Sequence, residues 1–225
     1  NLPRRNYEAF CRYLVTVLKH HHDEYGINFR TISPANEPGV WAWYRSGSQE
    51  GCCFSDESLQ ELVKTLEPIL AESGLDTKIS GTEQTSVAHG KRNLDQMHDA
   101  GMLDKIAQFN VHTYEADRRS RTQVASLGRA YGRRVWMSEV CYGSYDLAGD
   151  LQAMRNIFDD IRYILPEAWV EWQFLDSFGG ENNEHGWGCI GANFYDGSQY
   201  YKRLKRYYLY KQVMTAIRPG DRLLT

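Results

Sequence analysis

The strongest constraint on this chain is an alternation of strand and helix patterns that recurs every roughly 30 to 40 residues. Strand-like runs fall at 27–32, 78–81, 109–114, 134–140 and 168–174. Helical runs fall at 7–24, 55–73, 94–106, 119–131, 147–164 and 199–216. In the first helix Phe10, Leu14, Val17 and Leu18 keep the spacing of one apolar face. Five strands separated by helices imply a parallel sheet, because a parallel connection needs a crossover of helix length.

Two architectures satisfy that order, an open doubly wound sheet and a closed (β/α)8 TIM barrel. The open sheet calls for an early glycine-rich phosphate turn, and none is present. The barrel places its chemistry at the C-terminal ends of its strands. Glu37 and Glu139 both fall at such ends, which favours the barrel. Eight strands close a barrel, so the chain is expected to hold strands four to eight and to lack the first three βα units. Residues 1–225 then form the C-terminal portion of one (β/α)8 barrel.

Composition narrows the function classes. A net charge of −3 argues against nucleic acid and anionic membranes as partners. No run reaches the roughly 20 apolar residues of a membrane span. The five cysteines form no CxxC pair, so a zinc framework is not expected. Six Trp and 15 Tyr are a heavy aromatic load for 225 residues. Flat rings with one polar handle suit the apolar faces of sugars, although core packing accounts for most of them.

Glycoside hydrolysis needs two carboxyl groups, one to protonate the leaving oxygen and one to attack the anomeric carbon or activate water. Glu37 sits in Ser33-Pro34-Ala35-Asn36-Glu37-Pro38, where two prolines stiffen the turn. Glu139 ends the run Val135-Trp136-Met137-Ser138-Glu139, where an acid is costly to bury without a partner. Alone, each fits a capping or salt-bridged acid; together they fit a catalytic pair.

Asn36-Glu37-Pro38 and Trp136-Met137-Ser138-Glu139 resemble the strand-four and strand-seven motifs of the clan A glycoside hydrolases. Gln49-Glu50-Gly51 and the closing Tyr210 to Gly220 segment are similar to glycoside hydrolase family 30. The Asn-Glu-Pro…Trp…Gln-Glu-Gly pattern is most similar to its endo-β-1,6-galactanase branch. The resemblance implies a retaining hydrolase of β-linked polysaccharide, with Glu37 as acid/base and Glu139 as nucleophile. It further implies Asn36 as a contact to the sugar 2-hydroxyl, Tyr114 as a donor to the nucleophile, and Trp172 as an aromatic floor. His112 is a candidate on the same strand face as Tyr114. Trp41, Trp43 and Trp187 are loop aromatics over the barrel mouth, and Gln173 is a further candidate.

No metal and no organic cofactor are expected. The family implies a secreted, extracellular or periplasmic protein that degrades polysaccharide and carries a β-sandwich beside its barrel; residues 1–225 are expected to hold no separate β-sandwich, and a monomer is expected. Alternatives are other β-glycosidases of the family (glucosidase, xylanase or fucosidase) and a non-catalytic carbohydrate-binding barrel. A five-strand segment with open edges that is inactive by itself is a third reading. Glu83 reads equally as a cleft group or a surface acid. Glu171 is expected to face the helix layer or solvent.

Overall fold

The structure is a computed structural model that describes residues 2–40, 43, 51–141, 146–177, 188–193, 197 and 200–222. Its main run of elements is α1 (Tyr7–Tyr25), β1 (Thr31–Ile32), α2 (Asp56–Glu72), β2 (Lys78–Gln84), α3 (Val87–Asp99), β3 (Ile106–His112), α4 (Arg118–Ala130), β4 (Arg134–Val140), α5 (Leu147–Tyr163) and β5 (Ala168–Glu171). These strands form one parallel sheet in the order β1-β2-β3-β4-β5. The sheet curls into part of a (β/α)8 barrel, the fold class expected from the alternation.

Local chemistry explains where the helices begin. Ser55, Ser86, Asp117 and Asp146 each accept a backbone N–H of the first turn, opening α2, α3, α4 and α5. Gly26, at φ 65°, closes α1 in the left-handed region that glycine enters without cost. Ser86 also explains a difference from expectation. The third helix starts at Val87 and stops at Asp99, before Gly101. Residues 103–105 form only a 3-10 turn.

The helices cover the outer sheet face. Phe109 and Val111 point into an apolar cluster with Leu62, Leu66, Val87 and Leu94. Their neighbours Gln108, Asn110 and His112 alternate to the inner face, all buried. A buried ionic knot fastens the helix layer. Asp160 of α5 accepts from Arg121 Nε of α4 at 2.7 Å. It also accepts from Thr113 Oγ1 and Trp169 Nε1, both at 3.0 Å.

The region after β5 differs most from the sequence reading. The fifth strand stops at Glu171, and the chain restarts as β6 (Leu175–Ser177). With β7 (Ile190–Ala192) and β8 (Tyr201–Arg203) it builds a second, three-stranded sheet. Residues 201–203, expected to be helical, instead pair antiparallel with β7. Cross-strand pairing overrides a weak helical pattern there, and Tyr suits a strand. The last helix, α6, therefore spans only Lys205–Ala216. Glu171 does face the helix layer, where Tyr210 of α6 donates to its carboxylate.

Candidate active site

The site lies at the C-terminal ends of β1 to β4. Glu37 follows β1 in a turn held at both of its peptide groups. Its N–H donates to the Glu83 carbonyl at 2.8 Å. Its own carbonyl accepts from Trp43 Nε1 at 2.8 Å. The backbone of Glu37 has φ 44°, the left-handed region that a non-glycine residue occupies at a cost of roughly 1–3 kcal/mol. Gly51 lies against the Trp43 ring, where a Cβ would collide with the indole.

Glu139 reaches the same space through a bulge. On β4, Val135 packs with the helix-side core. Simple alternation would send Glu139 the same way. The register shifts instead, so that Val111 pairs with Met137 but His112 pairs with Glu139. Ser138 is the extra residue, and the shift re-aims Glu139 onto the inner face, a common use of bulges beside active sites. Tyr114 Oη then donates to Glu139 Oε1 at 3.0 Å.

His112 stands between the two acids and is 1% exposed. Its Nδ1 lies 2.9 Å from Glu37 Oε1 and 3.9 Å from Glu139 Oε1. Its Nε2 lies 3.3 Å from Glu83 Oε2. Burial pushes the imidazole pKa down, but Glu37, Glu83 and Glu139 outweigh it and raise it to about 9. The three carboxylates thus favour the protonated, cationic imidazole. Glu83 has the opposite balance. Burial favours its neutral form, yet donation from His112, Ser138, Ser33 and Asn110 holds its pKa below the usual carboxylate value. Burial raises the Glu139 pKa, with His112 and Tyr114 opposing. Burial and the neighbouring Glu139 keep the Tyr114 hydroxyl protonated.

One ligand atom from each of Glu37, His112 and Glu139 lies within 4.8 Å of the others. That spacing alone would suit a divalent cation. Ligation would first have to displace the proton that Glu37, Glu83 and Glu139 favour on the imidazole. The geometry fits a carboxylate pair bridged by an imidazolium.

The remaining candidates occupy varied positions. Asn36 is exposed beside Glu37. Trp43 is buried, 8% exposed, and braces the acid turn from beneath. Trp172 follows β5 and is 46% exposed. Gln173 Nε2 donates to Asp176 Oδ1 at 3.2 Å. Trp41 and Trp187 lie outside the described residues. Sequence reasoning left Glu83 undecided. The available signal was β2 itself, whose residues Ile79 to Gln84 are polar for the most part and yet all buried.

Similarity to known proteins follows the same lines. Residues 1–145 match the family described as O-Glycosyl hydrolase family 30. An endo-β-1,6-galactanase from Hypocrea rufa is 28% identical over 226 residues, covering 100% of this chain and 44% of the relative. A conserved exported protein from Bacteroides fragilis superposes with TM-score 0.77 at 21% identity, covering 98% of this chain and 52% of that one. An endo-β-1,6-glucanase superposes with TM-score 0.70 at 19% identity, covering 98% and 50%. The chain thus spans about half the length of these relatives.

Proposed function

Because the chain belongs to glycoside hydrolase family 30, we propose that it carries the catalytic carboxylates of a retaining β-glycosidase, part of a single barrel, acting on β-1,6-linked galactan. The observation that carries this reading is the separation of Glu37 and Glu139. Their facing oxygens lie within 4.8 Å. Retaining enzymes hold their carboxyl groups about 5 to 5.5 Å apart, whereas inverting enzymes leave about 6.5 to 9.5 Å for a water.

The reaction then runs in two displacements. Glu139 attacks the anomeric carbon as the glycosidic C–O bond breaks, and the Glu37 proton goes to the leaving oxygen. Water next attacks the glycosyl–Glu139 ester, its proton returns to Glu37, and the carboxylate of Glu139 leaves. Tyr114 holds the attacking oxygen in place before the first step. Neither step calls for a metal or an organic cofactor.

Exposed beside Glu37, Asn36 is the residue we assign to the sugar 2-hydroxyl, and exposed Trp172 the ring we assign to the sugar face. The galactan preference rests on the name of the Hypocrea rufa relative. The glucanase among the structural neighbours makes β-1,6-glucan the second substrate to try. An extracellular or periplasmic monomer suits a polysaccharide substrate. No described helix is long and apolar enough to cross a membrane.

The deciding experiment is to incubate the full natural chain with an activated 2-fluoro-galactoside and read its intact mass, with Glu139→Gln as control. A stable adduct on Glu139 is expected. Labelling by a fluoro-glucoside alone would replace the galactan reading. No labelling by galactosyl, glucosyl or xylosyl reagents would turn the reading towards a binding-only barrel.

A further inference from the structure

Glu83 is a third buried carboxylate beside the pair, and the two-displacement chemistry gives it no part. Four side chains from three other segments of the chain converge on it. Ser33 and Asn110 donate to Oε1, Ser138 donates to Oε2, and His112 Nε2 lies 3.3 Å from Oε2. It sits at the register shift between Thr82 and Gln84, with φ 54°. Its carbonyl also accepts the Glu37 N–H. A strained, 7% exposed acid with this many partners is built for a purpose beyond packing.

We infer that Glu83 is a positioning residue that keeps His112 as a fixed cation between Glu37 and Glu139, at the place across which negative charge moves during the reaction. The inference rests on the glycosidase reading. In the two-displacement scheme Glu37 delivers a proton and Glu139 attacks as an anion, while Glu83 and the imidazole of His112 form the charged pair beside them. After the first step, Glu37 is the anion and Glu139 is a neutral ester. The cluster has the same total charge in both states, but one negative charge has passed from Glu139 to Glu37. His112 Nδ1 faces both ends of that transfer, at 3.9 and 2.9 Å. A preorganised charge of this kind needs no reorientation as the reaction proceeds. Glu83 fixes the other ring nitrogen and balances the cation. The titratable groups facing the imidazole are Glu37 after β1, Glu83 on β2, Tyr114 after β3 and Glu139 on β4.

The test uses the full natural chain and Glu83→Gln, which keeps an acceptor for Nε2 but removes the charge. Histidine labelled with 13C at Cε1 reports each imidazole, and His112→Asn assigns the signal. The His112 midpoint is expected to fall by at least about one pH unit in E83Q, with kcat down roughly tenfold or more and KM within about threefold. Glu83→Asp retains the charge and is expected to recover most of the midpoint. An unchanged His112 midpoint in E83Q would overturn the inference, as would a kcat equal to wild type. Should E83Q not fold, a wild-type His112 midpoint near that of a free histidine, about 6.5, would overturn it as well. Failure of the glycosidase reading shows separately, as a wild-type chain that neither takes up a fluoro-sugar nor turns over.

Discussion

Tyr114 Oη donates to Glu139 Oε1 at 3.0 Å, and on the inner face the bond joins the end of β3 to the bulge of β4. A hydroxyl that donates to an ionised oxygen lowers the energy of that oxygen and fixes its direction. Bonds of this kind to charged groups contribute about 1.5 to 3 kcal/mol. Tyr114→Phe is therefore expected to lower kcat by roughly 10- to 100-fold, with little change in stability. Rates of fluoro-sugar labelling, taken beside a thermal melt, measure both. Equal labelling rates would show that Tyr114 does not orient the nucleophile.

Glu37 has a signature of its own. An acid matters most when the leaving group is poor. Glu37→Ala should lose roughly 10²- to 10⁴-fold on an alkyl or sugar leaving group. It should retain most of the first-step rate on a dinitrophenyl glycoside, whose leaving oxygen needs no proton. Azide should then replace the missing base in the second step and give a glycosyl azide of retained configuration. Comparable losses on both leaving groups would remove Glu37 from the acid/base role.

Much of this site is legible in the sequence. Asn36-Glu37-Pro38 and Ser138-Glu139 mark two strand ends, and the alternation places them on parallel strands of one sheet, β1 and β4, with β2 and β3 between. The rest depends on two register shifts. Alternation along β4 sends Glu139 towards the helices, and only the extra residue Ser138 returns it to His112. Along β2, Glu83 falls at another shift, and its partners come from three other segments of the chain. Pairing register between distant strands is not written in either strand alone. The same limit explains β8, where Tyr201 and Arg203 belong to a sheet that forms only once β7 is in place.

The buried charges set a pH window for stability. His112 has its folded pKa raised to about 9, from an unfolded value of about 6.5. Its contribution is fully present below the unfolded value and is lost as pH rises through the folded one. Glu83, with its folded pKa depressed, contributes above the unfolded carboxylate value and loses that contribution as pH falls through its own. Melts between pH 6 and pH 10 should show the alkaline loss, on the order of 3 kcal/mol from His112. A His112→Gln variant with the same alkaline slope as wild type would assign the loss to other groups.

The ionic knot at Asp160 should govern stability without touching the reaction. Asp160 is 0% exposed and accepts from Arg121, Thr113 and Trp169, tying α5 to α4, the end of β3 and β5. Arg121 is itself 4% exposed. Asp160→Ala leaves that guanidinium without its carboxylate in a dry site and removes the acceptor of Trp169 Nε1. Breaking a buried pair from one side costs about 3 to 5 kcal/mol. Replacing both partners, as in Arg121→Met with Asp160→Leu, removes the unpaired charge and should recover much of that loss. The double variant is expected to unfold at higher denaturant than Asp160→Ala, while fluoro-sugar labelling of the folded fraction stays near wild type. A double variant no more stable than the single would mean that the bonds to Thr113 and Trp169, rather than the ion pair, carry the stability of the knot.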